Sequence, residues 1–338
     1  MSKTPYIHKM AAHCESGAVT SLLNNQGLSI TEPQVFGISS GIFFGYFHKM
    51  KAFTFPTFIV RNKPGQMRKK VASRLGIRFH TEKFSSPEAG EKRLDELIAQ
   101  GIPVAVQVDF FYMDYLPEWE RVHINVHFIV IVGKEGTKYL VSDGYFPNLV
   151  NLEASSLRKA RFAGGSMSPK GFLFYPEHIP NDIRYEKAII KGIRQACFYM
   201  LKIPIPFLGV KGIRKMAKRI PDWPKYARDT EHLSHEIMKI NVLLEDQGTG
   251  GAGFRFMYAT FLQQAAGILK MPELTELSKQ MMLIGDKWRE LSLFAARIGK
   301  NRDLGPERLK ELSALLMQRA DDEERFFKEL SRTIKNKK

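Results

Sequence analysis

The feature that most constrains this chain is a single change of periodicity. Before Pro176 and Pro180, short apolar runs of strand length alternate with helical segments; after them every pattern is helical. A chain of 338 residues is long enough for two cores. The expected fold class is therefore an α+β domain over residues 1–180 followed by an all-α domain over 181–338. The second half predicts helices at Tyr185–Lys202, Gly209–Arg219, Lys225–Leu244, Phe254–Lys270, Pro272–Ile298 and Pro306–Ile334, with a frayed end at Lys335–Lys338. No internal repeat or low-complexity tract interrupts the chain.

Within the first half, His13-Cys14-Glu15-Ser16-Gly17-Ala18-Val19 opens a helix that Asn24-Asn25-Gln26-Gly27 stops. Thr31 and Pro33 start a second helix. In the apolar stretch from Val35 to Tyr46, Gly37, Gly41 and Gly45 recur every four residues. On a helix they share one face, which predicts close packing in a core. Strands are expected at Phe53–Val60 and Ile77–Phe84, with a helix at Gly65–Leu75 between them. Ser86, Pro87 and Glu88 carry the signals of a helix start for a run to Gln100, and Ile102–Phe110 reads as a strand. From His123 to Gly133, strict alternation puts His123, Asn125, His127, Ile129 and Ile131 on one face. A turn at Lys134–Thr137 then returns Lys138–Ser142 as the partner strand, bringing Asp143 to within about a residue of His127. Leu152–Arg161 reads as a helix and Gly171–Tyr175 as the last strand.

Two cysteines, Cys14 and Cys197, make no disulfide framework, and a reducing cytoplasm is the expected compartment. No continuous apolar segment suggests a secretory signal or a membrane span. The net charge of +16 is unevenly placed: Lys187–Arg228 carries 11 basic residues and one acid, Asp222. Such a segment suits an acidic protein or an anionic membrane surface, or is simply a solvated helix face. Nucleic acid is not expected, since no recognition motif accompanies the charge.

A cysteine at a helix start lies among unpaired N–H groups at the positive end of the helix dipole, which favours the thiolate. A nucleophile also needs a base, and the base an orienting acceptor. Cys14, His127 and Asp143 fit that logic in kind and order, although a lone cysteine near a helix start is often structural. His123 and His127 with Cys14 lack a fourth ligand, so no metal is expected. Gly248–Gly253 is not a P-loop, because no Gly-Lys-Ser/Thr follows. Gly250, Gly251 and Arg255 nonetheless offer N–H groups and a cation that suit a phosphate, or else form a helix–helix turn. Cys197 falls on an apolar helix face and is expected in the core.

Several stretches together resemble the butirosin biosynthesis protein H family. They are His13-Cys14-Glu15-Ser16-Gly17-Ala18, Glu32-Pro-Gln-Val-Phe36-Gly37 with Ser40-Gly41, Ile102-Pro103-Val104, Val108-Asp109, His127-Phe128 and Val141-Ser142-Asp143. The second half is similar to the helical domain fused to it, through Gly248-Thr249-Gly250-Gly251, Phe254-Arg255, Tyr258 and Phe261-Leu262. The resemblance implies a papain-like cysteine domain that moves an acyl group from a carrier-protein thioester to an amine. Cys14 would be the nucleophile, His127 the base and Asp143 its orienter. Asp109, in a family-like position, would shape the pocket or begin the turn after its strand. Papain-like enzymes usually carry a glutamine shortly before the cysteine; here stands His8-Lys-Met-Ala-Ala-His13. The oxyanion donor then falls to His8, His13 or the backbone N–H of Cys14.

The expected function is a cysteine acyltransferase with its site near the junction of the two domains. It binds no cofactor, its donor is a phosphopantetheine thioester, and its acceptor is a small-molecule amine or hydroxyl. Lys211, Arg214, Lys215 and Lys218 would dock an acidic acyl carrier protein. The alternatives are an amidase or peptidase with water as acceptor, and a non-catalytic protein bound to an anionic membrane surface.

Overall fold

The computed structural model describes residues 6–48 and 54–335. In chain order the elements are α1 (Cys14–Asn25), α2 (Glu32–Ile38), β1 (Ile42–Phe47), β2 (Thr57–Arg61), α3 (Gln66–Leu75), β3 (Arg78–Glu82), α4 (Pro87–Ala99), β4 (Val104–Val108), β5 (His127–Glu135), β6 (Lys138–Ser142), β7 (Val150–Glu153), α5 (Ala154–Arg161) and β8 (Leu173–His178). Among the described residues, six α-helices follow: α6 (Tyr185–Cys197), α7 (Gly209–Arg219), α8 (Thr230–Asn241), α9 (Arg255–Leu269), α10 (Glu273–Lys300) and α11 (Pro306–Thr333). The α+β class followed by helices is as the sequence predicts. The end of the expected tail, residues 336–338, and the start of the expected strand at Phe53 lie outside the described residues.

The chain forms two compact units, and the division is not a single cut near residue 180. One unit holds the residues up to Val35 and Met67–Ile183; the other holds Phe36–Gln66 and Arg184 onward. The hairpin β1–β2 therefore belongs with the helices. Its partners explain why: Trp223 Nε1 donates to the Tyr46 hydroxyl at 3.1 Å, Tyr46 N–H donates to the Phe207 carbonyl, and Phe44 lies 6.0 Å from the Trp288 ring. Apolar residues so placed are buried by the helical core rather than by the large sheet.

The first unit is built on a six-stranded antiparallel sheet in the order β3-β8-β4-β5-β6-β7. Helix α1 packs against β5, β4 and β8. Val104, Val106, Val108, Ile129 and Ile131 form a core with Leu94, Leu97, Leu157 and Ala160 from α4 and α5. Each such Val, Leu or Ile contributes about 1.5–3 kcal/mol by leaving water, so the alternation fixes which residues point inward.

Two local expectations are corrected. Gly37, Gly41 and Gly45 do not share a helical face, because α2 ends at Ile38 and Gly45 lies in β1. Close packing holds at Gly37, where a Cβ would sit 2.1 Å from Phe261 Cγ. His123 and Asn125 precede β5 rather than continuing its alternation, since pairing with β4 begins at Val108–His127.

Candidate active site

Cys14 is the first residue of α1, half-buried at its positive end. The local sequence puts it there by a chain of side-chain caps. His13 has extended backbone and its Nδ1 accepts the Ser16 N–H at 3.2 Å, which is an N-cap. The Glu32 carboxylate accepts the N–H groups of Ala12 (2.8 Å) and His13 (2.9 Å) and the Ser16 hydroxyl (2.8 Å). Burial raises the Glu32 pKa, and these donors work against it. On the far side, Glu15 Oε1 accepts the N–H groups of Met67 and Arg68 at the start of α3. Gly17 is needed because a Cβ there would lie 2.4 Å from the Ala11 side chain, so the segment before the cysteine lies flush on α1.

His127 is the first residue of β5, its side chain 12 % exposed. Its Nε2 donates to Asp143 Oδ2 at 2.8 Å; Cys14 acts electrostatically on the ring, while its thiol hydrogen-bonds the Val126 carbonyl at 3.8 Å. With Nε2 committed to Asp143, Nδ1 is the nitrogen left for the sulfur. Phe110 meets the imidazole edge-on at 5.0 Å. Burial disfavours the charged ring, but the Asp143 carboxylate and, after it, Cys14 outweigh it and raise the His127 pKa to about 10. The same pair acts on Asp143: burial pushes its carboxyl up, and the His127 charge and hydrogen bond bring it below the ordinary carboxylate value.

Asp143 does not stand opposite His127. The turn is tighter than the four residues expected, with Glu135 already paired to Lys138 and a bulge between Ile131 and Gly133. Since Val130 faces Ser142, Asp143 falls beside Ile129, two positions from His127 and on the same face. The carboxylate spans that diagonal.

Other residues singled out from the sequence have different duties. His8 is engaged at both ring nitrogens, with Ser142 Oγ at 2.7 Å and the Phe146 carbonyl at 2.9 Å. His13 serves as the N-cap through Nδ1. His8, with both ring nitrogens engaged, does not fit the oxyanion role, whereas the Cys14 N–H, in the unpaired first turn, does. Asp109 begins the turn after β4: Oδ1 accepts the N–H groups of Phe111 and Ile124, and Oδ2 pairs with His123 at 2.7 Å. It therefore holds the loop that carries Phe110 and does not line a pocket by its own carboxylate. His123 stacks on Phe111 and is turned to Asp109 rather than to His127.

In the second unit the phosphate reading of Gly250, Gly251 and Arg255 does not fit. The Gly251 N–H is taken by Thr249 Oγ1, and the Ala252 N–H by the Glu245 carboxylate, an anion where a phosphate would sit. Arg255 is fully buried, with its Nε 2.8 Å from Glu323 Oε1 and Nη1 donating to the Gly253 carbonyl. Cys197 is buried in the core, and burial pushes its thiol up to about 12. On α7, Arg214 is committed to Asp321 (2.5 Å) and Glu324 (2.6 Å), which removes it from the expected docking set. Lys215 lies over the Phe207 ring, while Lys211 and Lys218 are exposed.

Comparison with known proteins now bears on this arrangement. Residues 155–330 match the family described as a domain of unknown function, DUF4872. The chain belongs to the DUF4872 family. Residues 13–144 match the family described as butirosin biosynthesis protein H, N-terminal, a span that includes Cys14, His127 and Asp143. No curated protein matches the sequence. Among solved structures, the chain is similar to one described as a C39-like peptidase from Bacillus anthracis. The identity is 15 % over 53 % of this chain and 98 % of that one, with a TM-score of 0.35. The first unit combines the butirosin-type sequence with a helix-borne cysteine and a sheet-borne histidine. Among the described residues, no helix is long and apolar enough to cross a membrane.

Two residues of the site have roles that escape sequence reasoning. Glu32 is visible as part of a helix start and of a family-like stretch but not as the acceptor for the segment before Cys14, and Tyr115, which donates to Asp143 Oδ2 at 2.8 Å, sits in a loop without periodicity.

Proposed function

We propose that this protein is a cysteine-dependent acyltransferase that accepts an acyl group from a phosphopantetheine thioester and passes it to an amine or hydroxyl. The observation that carries the reading is the array of Cys14 at the start of α1, the His127 imidazole as its electrostatic neighbour, and Asp143 bonded to that ring. His127 takes the thiol proton, and the thiolate attacks the thioester carbonyl. The developing oxyanion lies at the end of α1, where the Cys14 N–H is the candidate donor. The C–S bond to pantetheine breaks as its sulfur takes the proton from His127, leaving acyl-Cys14. The acceptor's nitrogen or oxygen then attacks, giving its proton to His127, and the thiol is regenerated. The electrostatics support this cycle, because an imidazolium held by Asp143 is the partner that a thiolate needs.

The donor's carrier would be an acidic protein docked on the basic segment, through Lys211 and Lys218 rather than Arg214. An anionic membrane surface offers the same charge, and sedimentation with anionic vesicles separates the two. Intact mass after incubation with acyl-pantetheine thioesters of several chain lengths tests the central step. Wild type should gain one acyl mass that Cys14→Ala does not. Absence of both adduct and thioester turnover with every donor would end the proposal.

A further inference from the structure

The loop of residues 109–126 between β4 and β5 reaches Asp143 through one side chain. Tyr115 Oη donates to Asp143 Oδ2 at 2.8 Å, the same oxygen that accepts His127 Nε2–H at 2.8 Å, while Oδ1 accepts the Tyr145 N–H at 3.1 Å. Two of three donors therefore converge on the oxygen that faces the base.

Tyr115 is held in that position from several sides. Arg121 donates to the carbonyls of Asp114 and Leu116, the residues on either side of it. The Asp114 carboxylate accepts the Glu153 N–H, and the Tyr115 ring meets Phe146 edge-on at 5.3 Å. At the base of the loop, Asp109 joins Phe111, His123 and Ile124. These contacts hold the hydroxyl at Asp143, the shorter of its two bonds; Met113 Sδ, at 3.2 Å, is the other acceptor in reach.

We infer that Tyr115 is a positioning residue of the Cys14 chemistry: its hydroxyl fixes which oxygen of Asp143 faces His127 and tempers how strongly that oxygen holds the imidazole proton. This rests on the acyltransferase reading for its purpose but not for its test. A donor on a carboxylate oxygen takes up part of its negative charge and stabilises the ionised form. The second donor, His127, then meets a weaker acceptor. Because His127 must return its proton to the leaving thiol, an imidazolium held too tightly would slow the cycle. The titratable and charged groups that face this pair are Cys14 from α1, Asp114 beside Tyr115 in the loop, and His8, which bonds Ser142 next to Asp143.

The experiment is the pH titration of His127 in the full chain, by NMR of 15N-histidine-labelled protein, with the resonance assigned by its loss in His127→Gln. Tyr115→Phe keeps the ring against Phe146 and removes only the hydroxyl. The His127 midpoint should rise by about half a pH unit, about threefold in proton affinity. Replacement of Tyr115 by 3-fluorotyrosine, a stronger donor of the same shape, should lower it and guards against a folding defect in the first variant. In thioester turnover, Tyr115→Phe should cut kcat about tenfold with KM within twofold. An unchanged midpoint in both variants, a downward shift in Tyr115→Phe, or a kcat loss without a shift would each overturn the inference. Titration needs no thioester, so a failure of the acyltransferase reading, seen as no Cys14-dependent adduct, is told apart from a failure of this one.

Discussion

The first unit and the second each contain a buried carboxylate bonded to a basic side chain, and the two pairs differ in what remains open beside them. In the first, Asp143 holds His127, whose other face meets the half-buried Cys14. In the second, Glu323 holds Arg255 with both side chains fully buried, Trp288 Nε1 completing the set at 2.7 Å and its ring lying 4.7 Å from the guanidinium. Both pairs include a residue singled out from sequence as functional. Burial and charge alone do not mark a site; a titratable group with an accessible reactive neighbour does. The Arg255–Glu323 pair instead joins α9 to α11, a task in which losing one partner strands a charge.

The largest effect that separates the two regions is chemical. His127→Ala or Cys14→Ala should lower acyl transfer by at least about a thousandfold, measured as thioester turnover; the thermal midpoint should change little in Cys14→Ala and fall in His127→Ala, which strands the Asp143 charge. If Cys14→Ala unfolds the protein, the site is structural and the contrast disappears. Next in size, Glu323→Ala should cost about 3–5 kcal/mol, since it leaves Arg255 buried without its counter-ion. Urea denaturation would show that loss, while iodoacetamide labelling of Cys14 in the folded fraction stays at the wild-type rate. A Glu323→Ala variant as stable as wild type would mean that the second pair does not hold the helices together.

The pH dependence sharpens the comparison further. The His127 pKa lies at about 10 in the folded chain, above its ordinary 6.5, so its contribution to stability is complete below the ordinary value and is lost as pH rises through about 10. Asp143 is shifted the other way, so its contribution is present above the ordinary carboxylate value and is lost as pH falls through the lowered one. The gap in thermal midpoint between wild type and His127→Gln should therefore be widest in the mildly acidic range, between the ordinary carboxylate value and 6.5, and close towards both extremes. A gap that does not vary with pH would show that the pair is not coupled in the folded state. The smallest effect concerns α7. Joint Lys211→Glu and Lys218→Glu should raise KM for a carrier-bound thioester several-fold at low salt and leave the free pantetheine thioester unaffected. Arg214→Ala should lower stability by roughly 1 kcal/mol or less, because its carboxylate partners are partly exposed.

The candidate nucleophile and base were legible because their signals are local. A cysteine at a capped helix start and a histidine at the head of an alternating strand follow from runs of a few residues around Cys14 and His127. The Asp143 partner was legible only to within its register, which Gly136-Thr137 and a one-residue bulge settle. Tyr115 was not legible, since its place is set by Arg121, Phe146 and the Asp114–Glu153 contact, none of which has a sequence period. Arg255 was misleading for the opposite reason. Its glycine-rich neighbours suit a phosphate equally well until Glu245 and Glu323, distant in sequence, occupy the donors.

The sequence by itself determined the class of this protein, its helices with their caps, and the residue types at the candidate nucleophile and base. Those follow from periodicity and from side chains bonding the backbone within a turn of themselves. Only the tertiary structure decided that β1 and β2 join the helical unit, that Glu32 fastens the segment before Cys14, and that Tyr115 shares an oxygen of Asp143 with His127. Each of these is a contact between residues at least 16 positions apart, and such contacts are chosen by the burial of whole surfaces rather than by any pattern along the chain.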